Sequence, residues 1–106
     1  MTSSQNPVKN KPNLMTYFSK IDDPRIEGKT SHSLDNIFFM TICAVICGAD
    51  GWSSIAAFCK AKESWFKQYL DLPNGTPSHD TLGTLFARIN PELFQDCFSD
   101  WVQSIV

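Results

Sequence analysis

Side chains able to do chemistry are few in this chain and fall in four places. His79 and Asp80 stand side by side between Ser78 and Thr81, a grouping that could hold a general base, a metal ligand or a phosphate. Arg25, Lys29 and His32 share one short polar stretch and offer donors for phosphate contact. Cys43 and Cys47 are four residues apart, so a helix would present both thiols on one face as half of a metal site. Asp22, Asp23 and Asp35 could supply carboxylates to a divalent cation.

Each grouping also has a plainer account, which for Arg25, Lys29 and His32 is a solvated loop. His79 and Asp80 open a helix, where an acid complements the helix dipole. Asp22 and Asp23 flank a turn before Pro24, and Asp35 sits at a helix start. No Cys or His with finger-like spacing completes the Cys43–Cys47 pair, and all four cysteines lie in apolar helical patterns. They read as buried reduced thiols, hence a reducing cytoplasm. The chain has no phosphate-binding glycine loop and no activated-nucleophile signature, so nothing in it points to catalysis or to a bound cofactor. Trp52, Trp65 and Trp101 could stack on bases, but each lies on or beside an apolar helix face and reads as core.

These side chains need elements to hold them. The stretch LPNGTPSHDTLGTLFAR, residues 72–88, is a turn rich in Pro and Gly feeding a short helix. Ser78 stands where an N-cap belongs, and Leu82, Leu85, Phe86 and Ile89 form one apolar stripe at helical spacing. Its opposite face is small and hydroxylic: Thr81, Gly83, Thr84 and Ala87, with Arg88 at the end. A helix behind a short turn, with such an outer face, has the form of a helix-turn-helix reader of DNA; the same form serves any small helical bundle.

Around it the pattern predicts an all-α fold, a compact bundle of four main helices. Residues 1–13 read as a flexible leader and residues 14–106 as the folded domain. Leu14 to Ile21 makes a turn or two of helix, stopped at Asp22-Asp23-Pro24-Arg25 because proline pushes its predecessor out of the α region. Ser33 caps a first helix to about Cys47, apolar nearly all round and therefore central, with Gly48 as its stop. A second helix runs from Trp52 to Leu70, burying Ile55, Phe58, Cys59, Trp65, Phe66 and Tyr69. The capped segment is the third. Asn90-Pro91 starts a fourth, with Leu93, Phe94, Cys97, Phe98, Trp101, Val102 and Ile105 inward.

Composition supports a packed domain: 106 residues, 42% hydrophobic and 12% aromatic. The N-terminus has no apolar signal region, and the run Ile37 to Cys47 is too short to span a bilayer, so no membrane is implied. Net charge is −2, unevenly spread. Residues 1–32 carry five cations against three acids, and residues 33–106 carry Lys60, Lys62, Lys67 and Arg88 against eight acids. A domain that grips nucleic acid unaided normally shows a basic face, and this one does not.

The ordered motifs carry a resemblance. Asp22-Asp23-Pro24-Arg25, His32-Ser33-Leu34 and the run from Cys43 to Trp52 resemble the N-terminal region of ISAs1-family transposases, which include the H-repeat-associated proteins. Leu72-Pro73-Asn74-Gly75, Pro77-Ser78-His79-Asp80-Thr81, Phe86-Ala87-Arg88 and Asn90-Pro91 continue it in order, so the resemblance covers roughly residues 15–106.

That resemblance implies an N-terminal helical domain that precedes an RNase H-like DDE nuclease, whose acids bind divalent metal. The first catalytic aspartate of such proteins lies just beyond the point matching Val106, so the chain is expected to lack the catalytic domain and its metal. The implied role is in DNA transposition, by binding insertion-sequence ends or by assembling the transposase. The alternative is a protein–protein module that packs on the nuclease domain or joins subunits. Candidate DNA contacts are Arg25, Lys29, His32, Ser78, His79, Thr81, Thr84 and Arg88. Similar sequences commonly carry Arg where this chain has Thr84, a loss of about 1–3 kcal/mol if that Arg made a bidentate base contact.

Overall fold

A computed structural model describes residues 16–25 and 31–105, with side chains to residue 104. The expected leader over residues 1–13 and Lys29 fall outside the described residues. Every regular element among those described is helical. After a helical turn at 16–18 come α1 (Leu34–Ile46), α2 (Trp52–Ala61), α3 (Glu63–Phe66), α4 (His79–Ala87) and α5 (Pro91–Ile105).

Local chemistry sets the ends of these helices. The Ser33 hydroxyl accepts the Asn36 N–H at 3.2 Å and caps α1. At the other end Gly48 takes φ +105°, its N–H reaching the Val45 carbonyl at 3.0 Å while Ala49 reaches Ala44 at 2.9 Å. That pair of bonds is a Schellman stop, which needs the left-handed residue that glycine supplies. The Ser78 hydroxyl accepts the Thr81 N–H at 3.1 Å to start α4. Asn90 Oδ1 accepts from Glu92 and Leu93 at 2.9 and 3.3 Å to start α5.

One expected helix is two. At Lys62 the backbone turns to φ −105°, ψ +17°, splitting the stretch predicted from Trp52 to Leu70, and helix ends at Phe66 rather than Leu70. The chain from Lys67 onward makes turns that sink Leu70 and Leu72 into the core. Asn36 Nδ2 donates to the Asp71 carbonyl at 2.9 Å and Asn74 Nδ2 to the Ser31 carbonyl at 2.9 Å, tying this connection to the start of α1. Pro73 and Asn74 form the corner of a tight turn closed by the Gly75 N–H on the Leu72 carbonyl, 3.1 Å.

α1 is the axis of the domain, as its apolar surface requires. Phe38 is fully buried and meets the rings of Phe18, Phe86 and Phe94 at centroid distances of 5.3, 5.8 and 5.3 Å. Phe39, the next residue, turns to another flank, where Phe66 gathers Phe39, Phe58 and Trp65 at 6.1, 6.2 and 5.2 Å. Two neighbouring side chains on one helix thus seed two aromatic clusters that recruit α2–α3 on one side and α4–α5 on the other.

Three burial expectations differ. Trp52 and Trp65 lie at the surface, 39% and 42% exposed, the first stacked on Phe86 and the second tilted against Tyr69. Cys47 is exposed and Cys43 half-buried, because cover on α1 thins toward its C-terminal end, where Val45 and Ile46 are exposed as well. Along α5 Cys97 is buried, whereas Leu93, Phe94, Phe98, Trp101 and Val102 are half-buried, for the bundle covers only part of that face. The side chain of Ile105 lies outside the described residues.

Phe38→Ala is expected to cost about 3–5 kcal/mol, since it empties a site walled by three rings. Gly48→Ala is expected to cost about 1–2 kcal/mol although nothing lies within 4 Å of the added methyl, because the penalty is in the backbone. Urea unfolding followed by far-UV circular dichroism measures both.

Candidate functional site

The candidate residues of α4 lie on its exposed side, but they are less available than the pattern implied. The Ser78 hydroxyl is engaged at the cap and donates to Thr81 Oγ1 at 3.1 Å. Thr81 is half-buried. His79 Nδ1 lies 3.3 Å from Asp80 Oδ1, and both side chains point into solvent, placing a carboxylate at the end where a phosphate would approach. Gly83 is not open: a Cβ there would meet Trp52 Cδ1 at 3.2 Å, so the small residue exists to seat the indole. Thr84 and Ala87 remain free surface.

The cationic candidates converge at the other end of α4. Arg25 donates from Nε and Nη2 to the two carboxylate oxygens of Asp23, at 2.9 and 2.8 Å, and its own N–H also reaches Asp23. Arg88 donates from Nη2 to the Pro24 carbonyl, 2.9 Å across 64 residues of sequence. Arg25 holds the Asp23 carboxyl below its ordinary range by hydrogen bonding and charge, and Arg88 adds to the effect. Burial, with the Arg25 charge second, keeps His32 below the usual histidine value. The structure therefore brings Arg25 and Arg88 together at the 22–25 turn, with His32 close enough to feel the Arg25 charge, and leaves Ser78, His79 and Thr81 at the far end of α4, about 13 Å along the helix. The bidentate clamp leaves Arg25 mostly covered, its side chain 14% exposed.

The metal readings find no assembled ligand set: among the described residues no three His, Cys, Asp or Glu side chains come together. Burial pushes the thiols of Cys43 and Cys59 up to about 11 and raises that of Cys97. No helix of the described residues is long and apolar enough to cross a membrane.

Absent from the sequence reading is an apolar groove of about 460 Å³ where α1, α2, α4 and α5 meet. Ile42 and Val45 form its floor and lip, Trp52 and Phe86 one wall, and Phe94 and Phe98 the other. Trp52 stacks on Phe86 with centroids 5.0 Å apart and planes inclined by 19°. Thr41 also lines it; this residue is 5% exposed and its hydroxyl has no hydrogen-bond partner. The available sequence signal was Val45-Ile46, apolar residues at the end of a helix already covered elsewhere; they are 47% and 62% exposed.

Among the described residues, fold and surfaces define an all-helical domain with an open apolar groove. The family model for DDE_Tnp_1-associated domains matches residues 15–102, and the chain belongs to that family. It is 45% identical over 91 residues to an "Uncharacterized protein in dhlA 3'region" of Xanthobacter autotrophicus, covering 85% of this chain and 31% of that one. It is 42% identical over 90 residues to the "H repeat-associated putative transposase YhhI" of Escherichia coli K12, covering 85% and 24%. To the "Inactive transposase YbfQ" of the same strain it is 41% identical over 75 residues, covering 71% and 89%. The chain thus spans 31% and 24% of the lengths of the first two of these relatives. No solved structure matches.

Under native conditions a thiol reagent is expected to label Cys47 rapidly, half-buried Cys43 more slowly, and Cys59 and Cys97 only on unfolding, checked by mass spectrometry of timed alkylation. His32 is held below the ordinary value of 6.5, so it favours the folded state in its neutral form. That contribution is present above pH 6.5 and is lost as pH falls through the folded-state value. Melting temperature is therefore expected to decline more steeply below that pH in the native chain than in His32→Gln.

Proposed function

We propose that this chain serves DNA transposition as the assembly module of an ISAs1-like DDE transposase, docking on the remainder of the transposase rather than gripping DNA by itself. The observation that carries this reading is the fate of the two arginines expected to meet phosphate. Arg25 is clamped on Asp23 and Arg88 is tied to the Pro24 carbonyl, so both act as internal struts between the 22–25 turn and α4. Phosphate neutralisation supplies most non-specific DNA affinity, and residues 33–106 hold four cations against eight acids. The groove supports the same reading from the other direction, since an open apolar surface with aromatic walls suits a protein partner. Catalysis and its divalent metal fall to the nuclease part of such a transposase, and the setting is the cytoplasm.

A second reading keeps DNA contact in view. Arg88 is exposed at the end of α4 with Thr84 one turn before it, and its guanidinium keeps donors beyond the one given to Pro24. Such a contact would help position an insertion-sequence end already held by the rest of the transposase.

Co-expression with the part of YhhI that follows its matching segment tests the proposal. The two polypeptides are expected to co-purify in equal amounts after nuclease treatment. The chain alone is expected to leave terminal-repeat DNA unshifted at micromolar protein and moderate salt. Sub-micromolar DNA binding that is lost in Arg88→Gln, with no co-purification, would contradict it.

A further inference from the structure

The groove has a charged border that says what kind of segment it takes. Along α5, Pro91, Phe94 and Phe98 face the groove, while Glu92 and Asp96, four residues apart, line the recess beside it. Both acids are exposed, and neither forms an ion pair among the described residues. A recess lined by Pro91, Glu92, Gln95 and Asp96 shares Pro91 and Gln95 with the groove, so apolar floor and acidic border form one continuous surface. The Thr41 hydroxyl beside it is buried out of reach of solvent and has no hydrogen-bond partner among the described residues, so it belongs to the core beneath the groove.

From this juxtaposition we infer that the groove receives an amphipathic helical segment of a partner polypeptide, apolar on the face that enters and lysine- or arginine-bearing along the edge that passes Glu92 and Asp96. The apolar face covers Ile42, Val45 and Phe98. Helix-in-groove recognition of this type reads anchors at i, i+3, i+4 and i+7, and the charges at its edge set orientation and discriminate against acidic competitors. The inference rests on the assembly reading and names the chemistry of the partner segment.

The test uses two synthetic helical peptides of about four turns, both with Leu at the anchor positions, one with Lys and one with Glu on the flanking edge. The full chain is titrated with each, following Trp52 emission and the amide shifts of Thr41, Val45 and Phe98. The Lys peptide is expected to bind at least tenfold more tightly than the Glu peptide. Glu92→Lys with Asp96→Lys, both surface changes, is expected to reverse that preference, and Val45→Lys at the exposed lip to abolish both without changing the circular dichroism spectrum. Thr41→Val is expected to raise the melting temperature of the free chain and to leave the preference for the Lys peptide unchanged. Equal binding of both peptides, shifts confined to residues outside the groove, or no binding by either would overturn the inference. So would a dimer in light scattering that Val45→Lys dissociates, which would make a second copy the occupant. If the peptides fail while co-purification with the YhhI remainder persists, the partner chemistry is wrong and the assembly reading stands.

Discussion

Everything in this domain follows from the burial of one helix that has no polar side to give to solvent. α1 buries Ile37, Phe38, Met40, Ile42 and Ala44, positions that run around the cylinder and not along one stripe. A helix of this kind must be covered from several directions at once. Phe38 and Phe39 divide the task, one gathering the rings of Phe18, Phe86 and Phe94, the other meeting Phe66 on the α2–α3 side. The short α4 and the long α5 are held by their aromatic side chains against this axis. The bundle covers α1 well at its N-terminal end, where the 67–78 connection adds Leu70 and Leu72. Toward the C-terminal end coverage runs out, and there Val45, Ile46 and Trp52 are left at the surface.

That incomplete coverage changes what the turn and helix of residues 72–88 mean. By its pattern α4 has a buried stripe and a small hydroxylic outer face, the shape of a helix made for a groove in DNA. In the fold, Gly83 is a seat for Trp52, Ser78 is a cap, and Arg88 is a brace to Pro24. Smallness on that face thus has a packing cause at Gly83 and a capping cause at Ser78. The apolar stripe matters for function in a way the pattern did not suggest, for Phe86 supplies a wall of the open groove and stacks with Trp52 there.

Local signals were legible in the sequence wherever a residue answers to its own backbone. Ser33, Ser78 and Asn90-Pro91 as helix starts, Gly48 as a stop and Gly75 in the turn all follow from capping and φ preferences that need no tertiary context. The family resemblance was likewise legible, because its motifs are ordered along the chain. The break at Lys62 was not, since a lysine carries no helix-breaking signal. Exposure of Trp52, Trp65 and Cys47 was also hidden, since hydrophobic periodicity cannot separate a side chain covered by its own fold from one offered to another. The pairing of Arg25 with Asp23 had its partners two residues apart in plain view, but only coordinates show Arg88 arriving beside them.

Amide hydrogen exchange of the chain in complex with the remaining transposase polypeptide, with and without insertion-sequence ends, tests this account most directly. Protection is predicted along residues 41–46 and 91–98 on forming the protein complex, with little further change over 79–88 when DNA is added. Protection appearing first and mainly over 79–88, and only in the presence of DNA, would contradict it.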